Sequence, residues 1–111
     1  MLTKDSILSA KDFDTQVVHV PEWGGDVTLR GLSSMDRDNF EADLAENQDL
    51  RNLRARLVVK AIVDEDGNRI FADSDAEALG AKNSSVIIRL FEEVRKMSGM
   101  SDEELQEAQG N

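Results

Sequence analysis

Val86, Ile87, Leu90, Phe91, Val94 and Met97 recur at helical spacing between about Ser85 and Ser98, within about 140° of arc on a helical wheel. Arg89, Glu92, Glu93, Arg95 and Lys96 occupy the opposite side. A helix with so broad an apolar face owes its stability to packing, so the rest of the chain must cover it. Gly99 stands where the helix should stop. Ile88 lies outside the stripe, beside Phe91. It is either a lone surface isoleucine, which needs no special explanation, or an extension of an oligomer contact.

What can cover that face is limited by length. A chain of 111 residues makes one compact domain, with too few residues for two separate cores. Two strands are predicted ahead of the helices. In Thr15 to Val20, Val18 and Val20 share one face, with Val17 and His19 on the other. In Asp26 to Gly31, Val27 and Leu29 alternate with Thr28 and Arg30. Pro21-Glu22-Trp23-Gly24-Gly25 between them predicts a β-hairpin, with Trp23 covering the sheet and the start of a helix. A shorter second hairpin is expected around Asp64 to Asn68, pairing Ile62-Val63 with Ile70-Phe71.

Helix starts are marked by polar caps. Thr3 caps a short first helix running to about Ala10, and Ser33 with Asp36 forms a weakened capping box before an acidic segment reaching Asp49. Ser74 with Glu77 and Ser101 with Glu104 fit the box better, and Met100 with Leu105 fits a hydrophobic staple. Leu50, Leu53, Leu57 and Ala61 predict a middle helix from about Leu50 to Ile62. Arg54 falls inside that stripe, either snorkelling or paired, or reaching a second subunit. The expected fold is α+β, an N-terminal β-hairpin packed with a mainly helical body of four to five helices. Residues 1–111 form a single domain, and 101–111 form an acidic C-terminal helix or tail.

Charge narrows the function. Lys plus Arg number 13 against 23 Asp plus Glu, a formal net charge of −10, which repels nucleic-acid backbones and anionic membranes. The basic run Arg51, Arg54, Arg56 and Lys60 scatters around a helical wheel and reads as solvated or salt-bridged flanks. Opposite charges on neighbouring helices favour antiparallel packing or a head-to-tail subunit contact. With no cysteine, thiolate metal sites and disulfides are excluded. No apolar run reaches the roughly 20 residues of a membrane span. Met1 to Asp5 has no secretory character, so a cytoplasmic protein is expected.

Catalytic patterns fail one by one. His19 is the lone histidine and has no ligand spacing around it. Gly24-Gly25 lacks a phosphate-loop pattern. Setting Gly67 at the sixth place of a calcium loop puts Ile62 at the first, which cannot bind calcium. Asp73-Ser74 resembles an acyl carrier attachment site, but Asp75 follows where that family has leucine. The 23 acidic residues single out no acid–base pair. No enzyme activity, cofactor or metal is expected.

Val18-His19-Val20-Pro21-Glu22-Trp23-Gly24-Gly25-Asp26-Val27 resembles the Val-Pro-Glu-Trp-Gly-Gly signature of siphophage tail assembly chaperones. Further matching segments follow in order: Gly31-Leu32-Ser33, the run Ile62 to Phe71, Asp73 to Gly80 before a long amphipathic helix, and an acidic tail ending in Gly110-Asn111. The resemblance implies a small α+β protein that binds the tape measure protein, keeps it soluble and recruits tail tube subunits. It implies action in the host cytoplasm and absence from the mature virion. It further implies that this chain is the shorter, non-frameshifted product of its gene. The resemblance supplies no catalytic residues.

Apolar faces held in solution by surplus charge suit such a role, with helix-in-groove contact and self-association as natural modes. The candidate partner-binding residues are Ile88, Phe91, Met97, Met100 and Leu105, with Arg54. The alternative for the five apolar residues is that they fill the core. A second functional reading is an acidic antitoxin or nucleic-acid-mimic inhibitor. Mimicry needs carboxylates in a row on one face, whereas those from Asp36 to Asp49 spread around the helix.

Overall fold

The computed structural model describes residues 1–47 and 49–100. Strand β1 (Thr15–Val20) and strand β2 (Gly25–Arg30) form the expected antiparallel hairpin, with Val18 opposite Val27 and Val20 opposite Gly25. A 3-10 turn, Pro21–Trp23, joins them, and Gly24 closes it at φ 77°, where a side chain would be strained. Val18, Val20, Val27 and Leu29 share the inner face and belong to the core or pack against it. His19 and Asp26 face each other on the outer side.

Two helices flank the hairpin in sequence. Helix α1 (Lys4–Ser9) has a reciprocal cap: the Ser6 amide donates to Thr3 Oγ1 at 3.2 Å and the Thr3 amide to Ser6 Oγ at 2.8 Å. None of its residues is buried. Helix α2 (Ser34–Asn47) starts where the Asp36 amide donates to Ser33 Oγ at 3.0 Å. It sends Phe40 and Leu44 into the core.

The middle of the chain departs from expectation. Helix α3 is only Leu53–Val58, against a predicted span from about Leu50 to Ile62. Ile62 and Val63 instead form strand β3, antiparallel to β2 with Leu29 opposite Ile62. A ladder on the open edge of β2 satisfies backbone groups that the hairpin alone leaves unpaired, so the helix gives way after Val58. Leu50 is left exposed outside α3. The second hairpin is short: Val63 bridges Arg69, the Asp64 amide donates to the Asn68 carbonyl at 2.8 Å and the Ile70 amide to the Ile62 carbonyl at 3.3 Å. Asp64 organises its turn, accepting from the Asp66 and Asn68 amides at 2.9 Å each.

Helix α4 (Ala76–Gly80) follows a 3-10 turn, Asp73–Asp75. The predicted Ser74–Glu77 box is replaced: Asp75 takes the capping position of α4, and its carboxylate accepts from the Ala72 amide at 2.8 Å. A tighter entry turn shifts the helix start by one position. Helix α5 (Ser84–Met97) is the predicted amphipathic helix, begun by Asn83, which accepts from the Ser85 amide at 2.9 Å. At its end Met100 N donates to Arg95 O at 2.9 Å and Gly99 N to Lys96 O at 3.2 Å, with Gly99 at φ 67°. These two bonds and the left-handed glycine make a Schellman motif, whose hydrophobic residue is Met100.

Among the described residues, five helices and a three-stranded sheet form an α+β fold. Val86, Leu90 and Val94 of α5 are fully buried with Leu29, Leu57 and Val58. Each such leucine contributes about 1.5–3 kcal/mol over its exposed state. Around this core runs a chain of charges: Lys60 to Asp73 at 3.1 Å, Asp73 to Arg69 at 2.7 Å, Arg69 to Asp36 at 3.5 Å, and Asp36 to Arg30 at 4.0 Å. It ties α2, β2 and the turn before α4 together. The Ser101–Glu104 box, the Met100–Leu105 staple and the acidic tail involve residues outside those described.

Candidate interaction surface

Helix α5 divides its apolar residues between two jobs. Phe91 is 6% exposed and Met100 3%, and Met97 is half-buried against the core. Ile88, one turn before Phe91, is 41% exposed. Arg54 of α3 is exposed and lays its guanidinium over the Phe91 ring, 5.8 Å from the centroid. The structure thus brings Arg54 onto the Phe91 ring, and Ile88 lies exposed one turn earlier on α5. Met97 and Met100 sit at the far end of the helix, where the Met97 carbonyl crowds Gly31. Leu105 lies outside the described residues.

Snorkelling describes Arg54 better than burial. The other bases of its run are bound to carboxylates: Arg51 to Asp49 at 3.0 Å, Arg56 to Asp43 at 2.6 Å and Lys60 to Asp73 at 3.1 Å. In α2, Asp36, Glu41 and Asp43 all meet arginines of the same chain. Carboxylates so engaged do not form the open row that mimicry of nucleic acid needs.

The charged pairs shift titration where hydrogen bonds are direct. Bonds from Arg51 hold Asp49 down to about 2. Asp73 is lowered by its bond from Arg69, with Lys60 adding to the effect. Glu22 is lowered by Arg89, 3.0 Å away. Each shift favours the ionised carboxylate, so these groups are not poised as acids at neutral pH.

His19 Nδ1 meets Asp26 Oδ1 at 2.7 Å on the solvent side of the sheet. Among the described residues no third group is hydrogen-bonded to this pair, and no cluster of three metal-binding side chains occurs. A cavity of about 770 Å³ lies where residues 10–13 cross Thr28, Arg30 and the Asp64–Asn68 turn. Its walls are mixed and open, and Lys11, Asp12, Arg30, Asp64, Glu65 and Asp66 are among the residues that line it.

Sequence reasoning missed a second apolar surface. Leu2, Ile7 and Leu8 of the α1 region are exposed, Leu8 by 74%, and Phe13 follows them against Arg30, 4.4 Å from guanidinium to ring centroid. Val17 of β1 is 64% exposed. The available signal was a well-capped helix too short to be stable without packing. No helix among the described residues is long and apolar enough to cross a membrane.

A family model described as phage tail assembly chaperone matches residues 3–110. Among solved structures, the tail assembly chaperone of bacteriophage HK97 is similar in fold, with a TM-score of 0.63. The two chains are 23% identical, and the match covers 88% of this chain and 95% of that one. No curated protein matches the chain.

Proposed function

This chain belongs to the phage tail assembly chaperone family, and on that premise we propose that it binds a tape measure protein, holds it in solution and brings tail tube subunits to it. The observation that carries the reading is the family match over residues 3–110. Binding takes place in the host cytoplasm, before the tail is complete. The contact is an apolar strip on the α3–α5 edge, where Ile88 meets the client and Arg54 with Phe91 forms the floor. Met97 and Met100 hold the end of α5 in place, and Leu105 is proposed as a further partner-binding residue.

The geometry supports this in two ways. The strip offers apolar area without a deep pocket, which suits exchangeable contact with another helix. The net charge of −10 keeps a protein with open apolar residues from self-precipitating. Co-expression with a tape measure protein tests the reading. The expected result is a soluble complex recovered through a tag on either chain, lost with Ile88→Asp. A tape measure protein that is no more soluble with this chain than without it contradicts the proposal.

A further inference from the structure

Arg30, Arg37, Arg51, Arg56, Arg69, Arg89 and Arg95 each lie within 4.0 Å of a carboxylate of the same chain. Arg54 is the exception. Among the described residues no oxygen accepts from its guanidinium, although the chain holds 23 acidic residues. The guanidinium lies instead over the Phe91 ring, 5.8 Å from the centroid. Arg54 is exposed and Phe91 is buried.

That arrangement holds a cation without neutralising it. The face of a ring attracts the charge of a guanidinium but uses none of its in-plane N–H donors. The planar fork therefore stays able to receive a carboxylate edge-on, in the two-bond geometry that a lysine cannot offer. Ile88 stands three residues before Phe91 on α5, roughly 4.5 Å of helical rise away, and it is 41% exposed. An open apolar side chain thus sits one turn from the ring that carries the guanidinium. We propose that Arg54 is a specificity residue, receiving an Asp or Glu of the client about one helical turn from the apolar side chain that the client seats on Ile88. The inference rests on the chaperone reading and names the chemistry of its partner: an amphipathic helix with an acidic residue beside its apolar stripe.

The surrounding charges favour this occupant. Arg51 and Arg56, close to Arg54 in sequence, are taken by Asp49 and Asp43, so the chain's own carboxylates satisfy the flanking bases and leave Arg54 to an outside group. A second copy would bring a further surplus of negative charge, −10 per chain, and its Asp36, Glu41 and Asp43 are held by its own arginines. A nucleic-acid backbone sets many phosphates against the same field, whereas a single carboxylate on an apolar helix meets chiefly the cation beside it. An exposed ion pair is weak. A helix seated on Ile88 excludes water from this one and strengthens it.

Calorimetric titration of the whole chain with a tape measure segment, the one protected in the co-expressed complex, tests this. Arg54→Gln is expected to weaken binding roughly 10–100-fold, with a melting temperature within about 4 °C of wild type. Arg54→Lys, which keeps the charge without the fork, should fall between the two. One Asp→Lys or Glu→Lys variant of the segment should lose a similar factor against the wild type and regain it against Arg54→Glu. Lost packing on Phe91 produces no such charge-swap rescue. Arg54→Gln that binds as the wild type does overturns the proposal, and so does a segment in which no acidic position is rescued by Arg54→Glu. An Arg54→Gln chain that loses oligomeric mass, or capture of a single-stranded oligonucleotide, with client binding untouched assigns the guanidinium to a second copy or to phosphate and overturns it too. A wild type that binds no tape measure segment overturns the chaperone reading and this inference with it. Binding that is indifferent to Arg54 overturns this inference alone.

Discussion

Replacing Phe91 and Ile88 separately should split one helix into its structural and contact halves. Phe91 is 6% exposed, and truncating a buried phenylalanine to alanine costs about 3–5 kcal/mol. The Arg54 contact, 5.8 Å from the ring, lies at the surface and accounts for only about 0.5–1 kcal/mol of that. Against a total stability of roughly 5–15 kcal/mol for a domain of this kind, Phe91→Ala is expected to lower the melting temperature by about 12–20 °C. Ile88→Ala sits at a position 41% exposed and should change stability by no more than about 0.5 kcal/mol. Thermal unfolding followed by circular dichroism gives both numbers. Binding to a tape measure segment, measured well below both melting points, should fall for Ile88→Ala at nearly unchanged stability, whereas Phe91→Ala lowers stability as well as removing the floor of the strip. A Phe91→Ala chain that melts within about 4 °C of wild type, a loss near 1 kcal/mol, refutes the division.

Gly80→Ala would set its Cβ 2.0 Å from Asn52 Oδ1, expelling the Asn52 amide from the Ala76 carbonyl it now reaches at 2.7 Å. Denaturant titration should show a loss of about 1–2 kcal/mol, and none if Asn52 does not brace α4. Gly99→Ala strains the left-handed position at φ 67° and is expected to cost about 1 kcal/mol by the same titration. For pH, Asp73 and Asp49 have lowered folded-state values. Their contribution is complete above the ordinary aspartate pKa of about 4 and is lost as pH falls through the folded values, toward about 2 for Asp49. Asp73→Asn should therefore lower stability at pH 7 and flatten its fall below about pH 4, which melts at stepped pH will show or refute.

The hairpin and α5 were legible because local pattern and tertiary demand agree there. The alternation of Val18 and Val20 with His19 set the register, and the stripe from Val86 to Met97 set the helix face. Residues 50–63 were misread for a physical reason. Leu53 and Leu57 carry a helical period, yet Ile62-Val63 gains more as a ladder on β2, thirty-odd residues away in sequence. Periodicity cannot weigh a distant edge. The charge chain from Lys60 through Asp73 and Arg69 to Asp36 was hidden in the same way, because its links span turns whose course depends on β3. Among the candidate contact residues, spacing located Ile88 beside the stripe. It did not reveal that Arg54 would meet the Phe91 ring, or that a short helix with a complete cap would bury nothing.

Hydrogen exchange of the chain alone and with a tape measure segment tests the central claim most directly. New protection confined to α3 and the Ile88 turn of α5 is the outcome that follows from an apolar strip gripping a client. Protection elsewhere with those amides unchanged, or a client that leaves every amide as it was, contradicts it.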